Sequence, residues 1–328
     1  GPVTMEKQML SRTASNLYWL ARFIERAENT ARVLDVAYRV SLVNKEPGVA
    51  EREWFAPLNI TGTLFPFQGN YSVVCAEQVL SFMALDRDNP ASIIACAHQA
   101  RENARAVRVH LTTEMWEVIN GTWLELQRFS EQQLHAHPST FFDWVKERSH
   151  LFRGVTRGTM HRSEAAQFLR LGSFLERADN TARILDVKYH ILLPSLGDVG
   201  RAVDYYQWSA VLRSVSAFET YKRVYRDVIS PIKVAELLLL NEDFPRSLQA
   251  CLHDVYEIIE DLAPHPRAEV LRLAGEIYSR LRFARIDAVF EAGLHEYLTD
   301  FLRRINGLAG EIHDTYFRPP LTADADTA

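Results

Sequence analysis

Residues 24–38 read IERAENTARVLDVAY and residues 175–189 read LERADNTARILDVKY, and this pair of stretches decides the fold. They lie 151 positions apart, and eleven of their fifteen letters agree. Around the first copy, apolar residues fall at Leu17, Leu20, Ile24, Ala27, Ala31, Leu34 and Tyr38, in alternating steps of three and four. That is one face of a long helix, predicted from Ser11 to about Val43. Ser11 or Thr13 can cap its start, and Lys45-Glu46-Pro47-Gly48 should end it. The second copy predicts a similar helix over 163–193, closing at Pro194.

Outward from these two, helical periodicity recurs near 70–85, 91–119, 139–153, 203–228, 245–262, 267–284 and 287–315, and nothing alternates with period two for long. The breaks at 86–90, 135–138, 193–197 and 264–266 are short turns rather than interdomain linkers. A second echo sets LDRDNPASIIACAH at 85–98 against LLNEDFPRSLQACLH at 239–253, matching Pro90 with Pro245, Ser92 with Ser247 and Cys96 with Cys251. The expectation is an all-α, multi-helix bundle of two related halves, about 9–158 and 159–317, each opening with a long motif-bearing helix. Gly1-Pro2-Val3-Thr4, ahead of Met5, reads as a cloning remnant within a short N-terminal tail over 1–8, and 318–328 as a flexible tail.

Composition places bounds on function. Of 328 residues, 47% are hydrophobic and 24% charged, the balance of a globular chain. Arg, Glu or Asp interrupts every long apolar run, and no charged-then-apolar leader precedes the motif, so a water-soluble, cytoplasmic protein is expected, with no membrane partner. The formal charge of −5 speaks against a broad nucleic-acid surface. Cys75, Cys96 and Cys251 form no CxxC pair and read as small core residues of a reducing compartment.

Helical geometry puts Tyr18, Arg22, Glu25, Asn29 and Arg32 on one stripe beside the apolar face, and Leu169, Ser173, Glu176, Asn180 and Arg183 on its twin. Arg26, Thr30 and Asp35 recur as Arg177, Thr181 and Asp186, while apolar neighbours interchange freely. A solvated face of ion pairs such as Glu28 to Arg32 and Asp179 to Arg183, each worth only ~0.2–0.5 kcal/mol, constrains residue identity little. A stripe that kept its chemistry while its neighbours drifted is therefore expected to be buried or engaged. One arrangement has Glu25 meeting Arg183 and Glu176 meeting Arg32, with Asn29 and Asn180 filling the remaining hydrogen bonds. In the other, the guanidinium groups hold a carboxylate or phosphate bidentately. The first copy is then the better site, since only it adds Tyr18 and Arg22.

These residues carry a resemblance. MLSRTASNLYWLARFIERAENTARVLDV, NPASIIACAHQARENARAVR, TTEMWEVIN, GTMHRSEAAQFLRLGSFLERADNTARILDV and IHDTYF, in that order from Met9 to Phe317, resemble the bacterial alpha-E domain family. The resemblance implies an all-helical fold and places the family's Glu-containing motif on Glu25-Arg26 and Glu176-Arg177. It also implies association with a circularly permuted ATP-grasp protein and a transglutaminase-like protein, in a system that makes or modifies peptides. No ATP-grasp segment occurs in this chain, so that partner would be a separate polypeptide.

Catalytic signatures are sparse. There is no HExxH, P-loop, GxGxxG or GxSxG, and no cofactor is expected. His135 and His137 flank one alanine with no Cys or carboxylate at ligand spacing, so no metal site is expected. Glu311 and Asp314 read as a polar helix face, and Trp116, Trp123, Trp144 and Trp208 as packing anchors. Two classes remain: a non-catalytic binding or scaffold component, and an enzyme on an aminoacyl or peptide intermediate with Glu25 or Glu176 as general acid or base. The first is favoured, because every motif glutamate has an arginine beside it or one turn away, which lowers its pKa away from the neutral range such chemistry needs.

Overall fold

The computed structural model describes residues 2–43, 49–190 and 202–318. Sixteen α-helices and no strand occur among the described residues: α1 (Pro2–Val43), α2 (Val49–Ile60), α3 (Leu64–Asn70), α4 (Ala76–Ala84), α5 (Ile93–Ala106), α6 (Thr113–Leu126), α7 (Glu131–Ala136), α8 (Pro138–Thr159), α9 (Glu164–His190), α10 (Ala202–Ser214), α11 (Phe218–Tyr225), α12 (Pro231–Leu240), α13 (Leu248–Leu262), α14 (Glu269–Arg282), α15 (Ile286–Ala292) and α16 (Leu294–Ile312). The all-α expectation is met. The turns predicted at 45–48 and 193–197, and the tail after Arg318, lie outside the described residues.

The two motif helices, α1 and α9, pack along each other and organise the rest. Helices α5 and α8 cover the other side of α1, while α13 and α16 cover α9. One apolar core gathers Leu17, Leu20, Leu171 and Leu175 of the motif helices with Leu252, Ile259, Phe301 and Ile305. A second, smaller core sits under the far half of α1, around Leu34, Phe82, Ile93, Phe141 and Phe142.

Local chemistry explains where the helices start and stop. Ser92 caps α5 and Ser247 caps α13, each hydroxyl accepting from the N–H three residues on, at 3.1 and 3.0 Å. The same hydroxyls donate backward to the carbonyls of Asp86 and Asn241, and Cys96 and Cys251 each lean on a proline carbonyl six residues upstream, Pro90 and Pro245. The echoed segments therefore fold with the same local bonds.

Three expected helices are broken. The 91–119 run splits around Val107–Leu111, where Thr112 caps a new helix. The 203–228 run breaks at Ser216, whose φ is 57°, and resumes as α11, and the 287–315 run breaks at Gly293, whose φ is 95°. Helix α12, PIKVAELLLL, is absent from the periodicity reading because it is apolar nearly all round: Val234, Ala235, Leu237, Leu238 and Leu239 are all buried. Its start is nonetheless written in Ser230 as cap and Pro231 at the first turn.

Candidate functional site

Two helices can bring charged side chains into a shared interior only where their backbones approach closely. Gly172 supplies that approach: a Cβ there would lie 2.2 Å from the carbonyl oxygen of Tyr18 and 3.3 Å from Cγ of Arg22. Beyond this contact the two Glu-Arg dipeptides meet, and they pair crosswise. Arg177 donates from Nε and Nη2 to the two carboxylate oxygens of Glu25 at 2.8 and 3.1 Å. Arg26 donates in the same forked manner to Glu176 at 2.7 and 3.2 Å. Adjacent residues on one helix point apart, so neither dipeptide can satisfy itself, and each glutamate takes the arginine of the other copy.

The arrangement corrects the pairing expected from sequence. Glu25 does not meet Arg183, nor Glu176 Arg32. Arg183 stays on its own helix with Asp179 at 2.7 Å. Arg32 bonds Glu28 at 2.9 Å and the Ser216 hydroxyl at 2.6 Å. The reason is angular: residues 26 and 177 lie one position past the glutamates and face the partner helix at the crossing, whereas 32 and 183 lie two turns further along and have left it. Asn180 is half-buried and makes no side-chain hydrogen bond among the described residues. Tyr18 is buried against Phe317, its hydroxyl accepting from Arg22 at 3.0 Å.

Each glutamate is completed by further cations. Arg22 adds a 2.8 Å bond to Glu176, and its guanidinium lies 4.9 Å from the Trp19 ring centre. Glu25 also accepts from Arg246 at 3.2 Å and Arg153 at 3.3 Å. Sequence reasoning assigned Glu28 only a solvated pair with Arg32; that pair is present, but Glu28 is buried and has the most partner residues of any carboxylate in the site. It accepts from Arg32, from Arg246 at 2.7 Å, from Ser149 at 2.6 Å and from Arg153. Its counterpart Asp179 is shorter and keeps only the surface pair, so the duplicated text gave no sign that Glu28 was different. Arg246 was equally hidden, since it stands where the first echo has Ala91; only its place beside Pro245 in the echoed cap could have drawn notice.

Glu25, Glu28 and Glu176 are 1%, 0% and 6% exposed, so the network is interior. Burial alone would raise the pKa of Glu25, yet Arg177 and Arg246 outweigh it and hold the carboxyl below its ordinary range. The same contest, decided by Arg246, Arg153 and Arg32, holds Glu28 well below it, and Arg22 and Arg26 do so for Glu176. All three are therefore ionised at neutral pH. Cys96 and Cys251 sit in electrostatic range of the two crossed pairs, and burial pushes both thiols up to about 12. They are protonated and inert at neutral pH.

The remaining expected features settle into structure. Asp35 holds Arg39 and Lys146 at 2.9 and 3.1 Å, and Asp186 pairs with His295 at 2.6 Å, tying the motif helices to α8 and α16. His135 bonds Ser81 at 2.9 Å. Trp123 and Trp208 are buried, and Trp144 donates to Glu125. No group of His, Cys, Asp and Glu able to hold a metal ion, and no helix long and apolar enough to cross a membrane, occurs among the described residues.

Comparison with known proteins follows the same motif. The chain is 24% identical over 327 residues to the uncharacterized proteins Mb2597 of Mycobacterium bovis and Rv2567 of Mycobacterium tuberculosis. The match takes in 92% of this chain but 36% of each relative, so the chain spans about a third of their length. No solved structure matches it. The family model for Alpha-E, described as a predicted alpha-helical domain with a conserved ER motif, matches residues 9–317, and with its two Glu-Arg dipeptides crossed at the centre of the helical body this chain belongs to the Alpha-E family.

Proposed function

We propose that this chain is a non-catalytic helical scaffold, and that its duplicated Glu-Arg motif is an internal brace holding two motif helices in one register. The observation that carries this reading is the saturation of the motif glutamates. An ionised carboxylate offers about four lone-pair sites. Glu25 has four donors from Arg177, Arg246 and Arg153, and Glu176 has three from Arg26 and Arg22. Glu25 is thus filled and Glu176 keeps at most one site, and with their pKa values driven down neither has the proton affinity for general acid or base work.

The partner we propose is a separate circularly permuted ATP-grasp protein, with a transglutaminase-like protein, in a bacterial system that makes or modifies peptides. Family resemblance supports this, as does the fact that the matching segment is 36% of relatives that carry further sequence, as expected of a module used beside other domains. The test is co-expression with a circularly permuted ATP-grasp protein from the same organism: the two should co-elute, and the isolated chain should turn over no aminoacyl or peptide substrate. Turnover by the isolated chain that Glu25→Gln or Glu176→Gln abolishes without lowering the melting temperature would overturn the scaffold reading.

A further inference from the structure

The brace is not electrically balanced. On the Glu25 side, the two carboxylates of Glu25 and Glu28 face four guanidiniums, from Arg32, Arg153, Arg177 and Arg246. Uncompensated charge is costly away from water, and a brace alone would need only equal numbers. The excess sits toward the surface. Arg32 and Arg153 share the Glu28 carboxylate, one on each oxygen, and the Arg153 side chain is 29% exposed against 10% for Arg32. Arg153 uses Nη1 and Nη2 and leaves Nε without a protein partner among the described residues.

A second observation comes from Asn29, which is 3% exposed. Its Oδ1 accepts from Arg246, an interaction that fixes the amide orientation because a turned amide would set N–H against guanidinium. The Nδ2 donor then has no partner among the described residues, inside a cluster already short of acceptors. A third comes from Ser216, which turns the chain after α10 with φ of 57°, where glycine is favoured. Its exposed hydroxyl accepts from Arg32 at 2.6 Å and so keeps its own proton for another acceptor. The unused donors of Arg153 and Ser216 thus lie on the side of the network that opens to solvent, with the His150 ring 2.8 Å from Arg153 at the rim, while the Asn29 donor stays buried.

We propose that this rim, formed by Arg32, Arg153 and Ser216, is a binding site for an oxyanion: a carboxylate or phosphate group of an incoming ligand. The planar guanidiniums suit either group, and the Ser216 hydroxyl adds a directional donor. The site goes beyond the scaffold reading and is tested by binding rather than by partner capture or turnover, so the two fail separately.

The experiment is calorimetric titration of the whole chain at low ionic strength with inorganic phosphate, with an acetylated dipeptide free acid, and with the same dipeptide as its amide. Saturable binding of phosphate or of the free acid, with no binding of the amide, is the expected result, and which of the two binds tighter identifies the source. Ser216→Gly relieves the backbone and removes one donor; it should fold at least as well as the parent and bind about three- to tenfold more weakly. Arg153→Gln should weaken binding at least tenfold. Heat that sodium chloride of matched ionic strength reproduces, an adventitious ion only, overturns the proposal, as does unchanged affinity in both variants.

Discussion

Removing Glu25 tests the brace most directly. In Glu25→Ala, Arg177 loses both arms of its fork, Arg246 keeps only Glu28 and Asn29, and Arg153 keeps Glu28, Ser149 and His150. The site then holds four guanidiniums against one carboxylate. Breaking a buried pair by deleting one partner costs ~3–5 kcal/mol, because the surviving charge is left in a low-dielectric interior. Unfolding entropy of about 2.1 cal/mol/K per residue, taken over a domain of this length, gives a fall in Tm of roughly 5–8 °C.

Scanning calorimetry and urea titration measure it. Glu25→Gln should fall by a similar amount, since it keeps the shape and removes the charge. Glu257→Ala, at an exposed position, should stay within ~0.5 kcal/mol of the parent. Combining Glu25→Ala with Arg177→Ala should cost less than the sum of the single changes by about 1–3 kcal/mol, the signature of partners in direct contact. A Glu25→Ala variant melting within a degree of the parent, or a double variant that is strictly additive, would refute the claim that crossed pairing holds α1 against α9.

Three further outcomes follow from the same geometry. Gly172→Ala removes a poor helix former, which alone would stabilise by about 1 kcal/mol, but its Cβ would sit 2.2 Å from the Tyr18 carbonyl. Helix displacement should therefore win at a net cost of about 1–3 kcal/mol, and a variant melting at or above the parent temperature contradicts the close approach. Glu25, Glu28 and Glu176 all have folded pKa values lowered from 4.5. Their stabilisation is therefore complete above about pH 4.5 and lost as pH falls through the lower folded values. Acid unfolding curves should show the loss below pH 4.5, with a shallower slope in Glu25→Ala; equal slopes count against the linkage. Finally, thiol labelling of the native chain should leave Cys96 and Cys251 unmodified, with full modification only after denaturation, and labelling of either in the folded protein contradicts their burial.

What could be read from the sequence depended on whether a signal was local. The long α1 and α9 declared themselves because one apolar stripe repeats over many turns, and the stripe beside it announced the buried Glu25 and Glu176 by keeping Glu while Ile24 and Leu175 interchanged, although the equally kept Asn180 and Arg183 stay outside the network. The all-helical class followed. The partner assignments did not, because helical spacing fixes which side chains share a face and says nothing of the angle at which two such faces cross. Glu28 and Arg246 were out of reach for a related reason: each is matched in the other copy by a residue of different size or charge, Asp179 and Ala91, so a comparison of the copies passes over them.

That mismatch bears on how the two copies divide the work. If both had been equal, Arg177 and Arg26 alone would have given each glutamate one fork and left its remaining lone pairs empty. Each glutamate is completed from a different place: Glu176 by Arg22, four residues before Arg26 on α1, and Glu25 by Arg246 from the segment leading into α13 and Arg153 from α8. The Glu176 end is thus closed by the motif helices themselves, with Arg22 and Arg26 lying over Trp19 and Phe23. The Glu25 end recruits two outside elements and, with them, more positive charge than its carboxylates offset. Bracing needs only the shared part of the motif, the crossed forks; guanidiniums outnumber carboxylates by one at the Glu176 end and by two at the Glu25 end, and at the Glu25 end the exposed Ser216 hydroxyl on Arg32 adds a donor that a ligand would use. The asymmetry between the copies therefore separates the two roles physically, and Arg153→Gln and Glu176→Ala should divide accordingly, the first losing oxyanion affinity with a modest change in Tm and the second losing Tm with affinity retained.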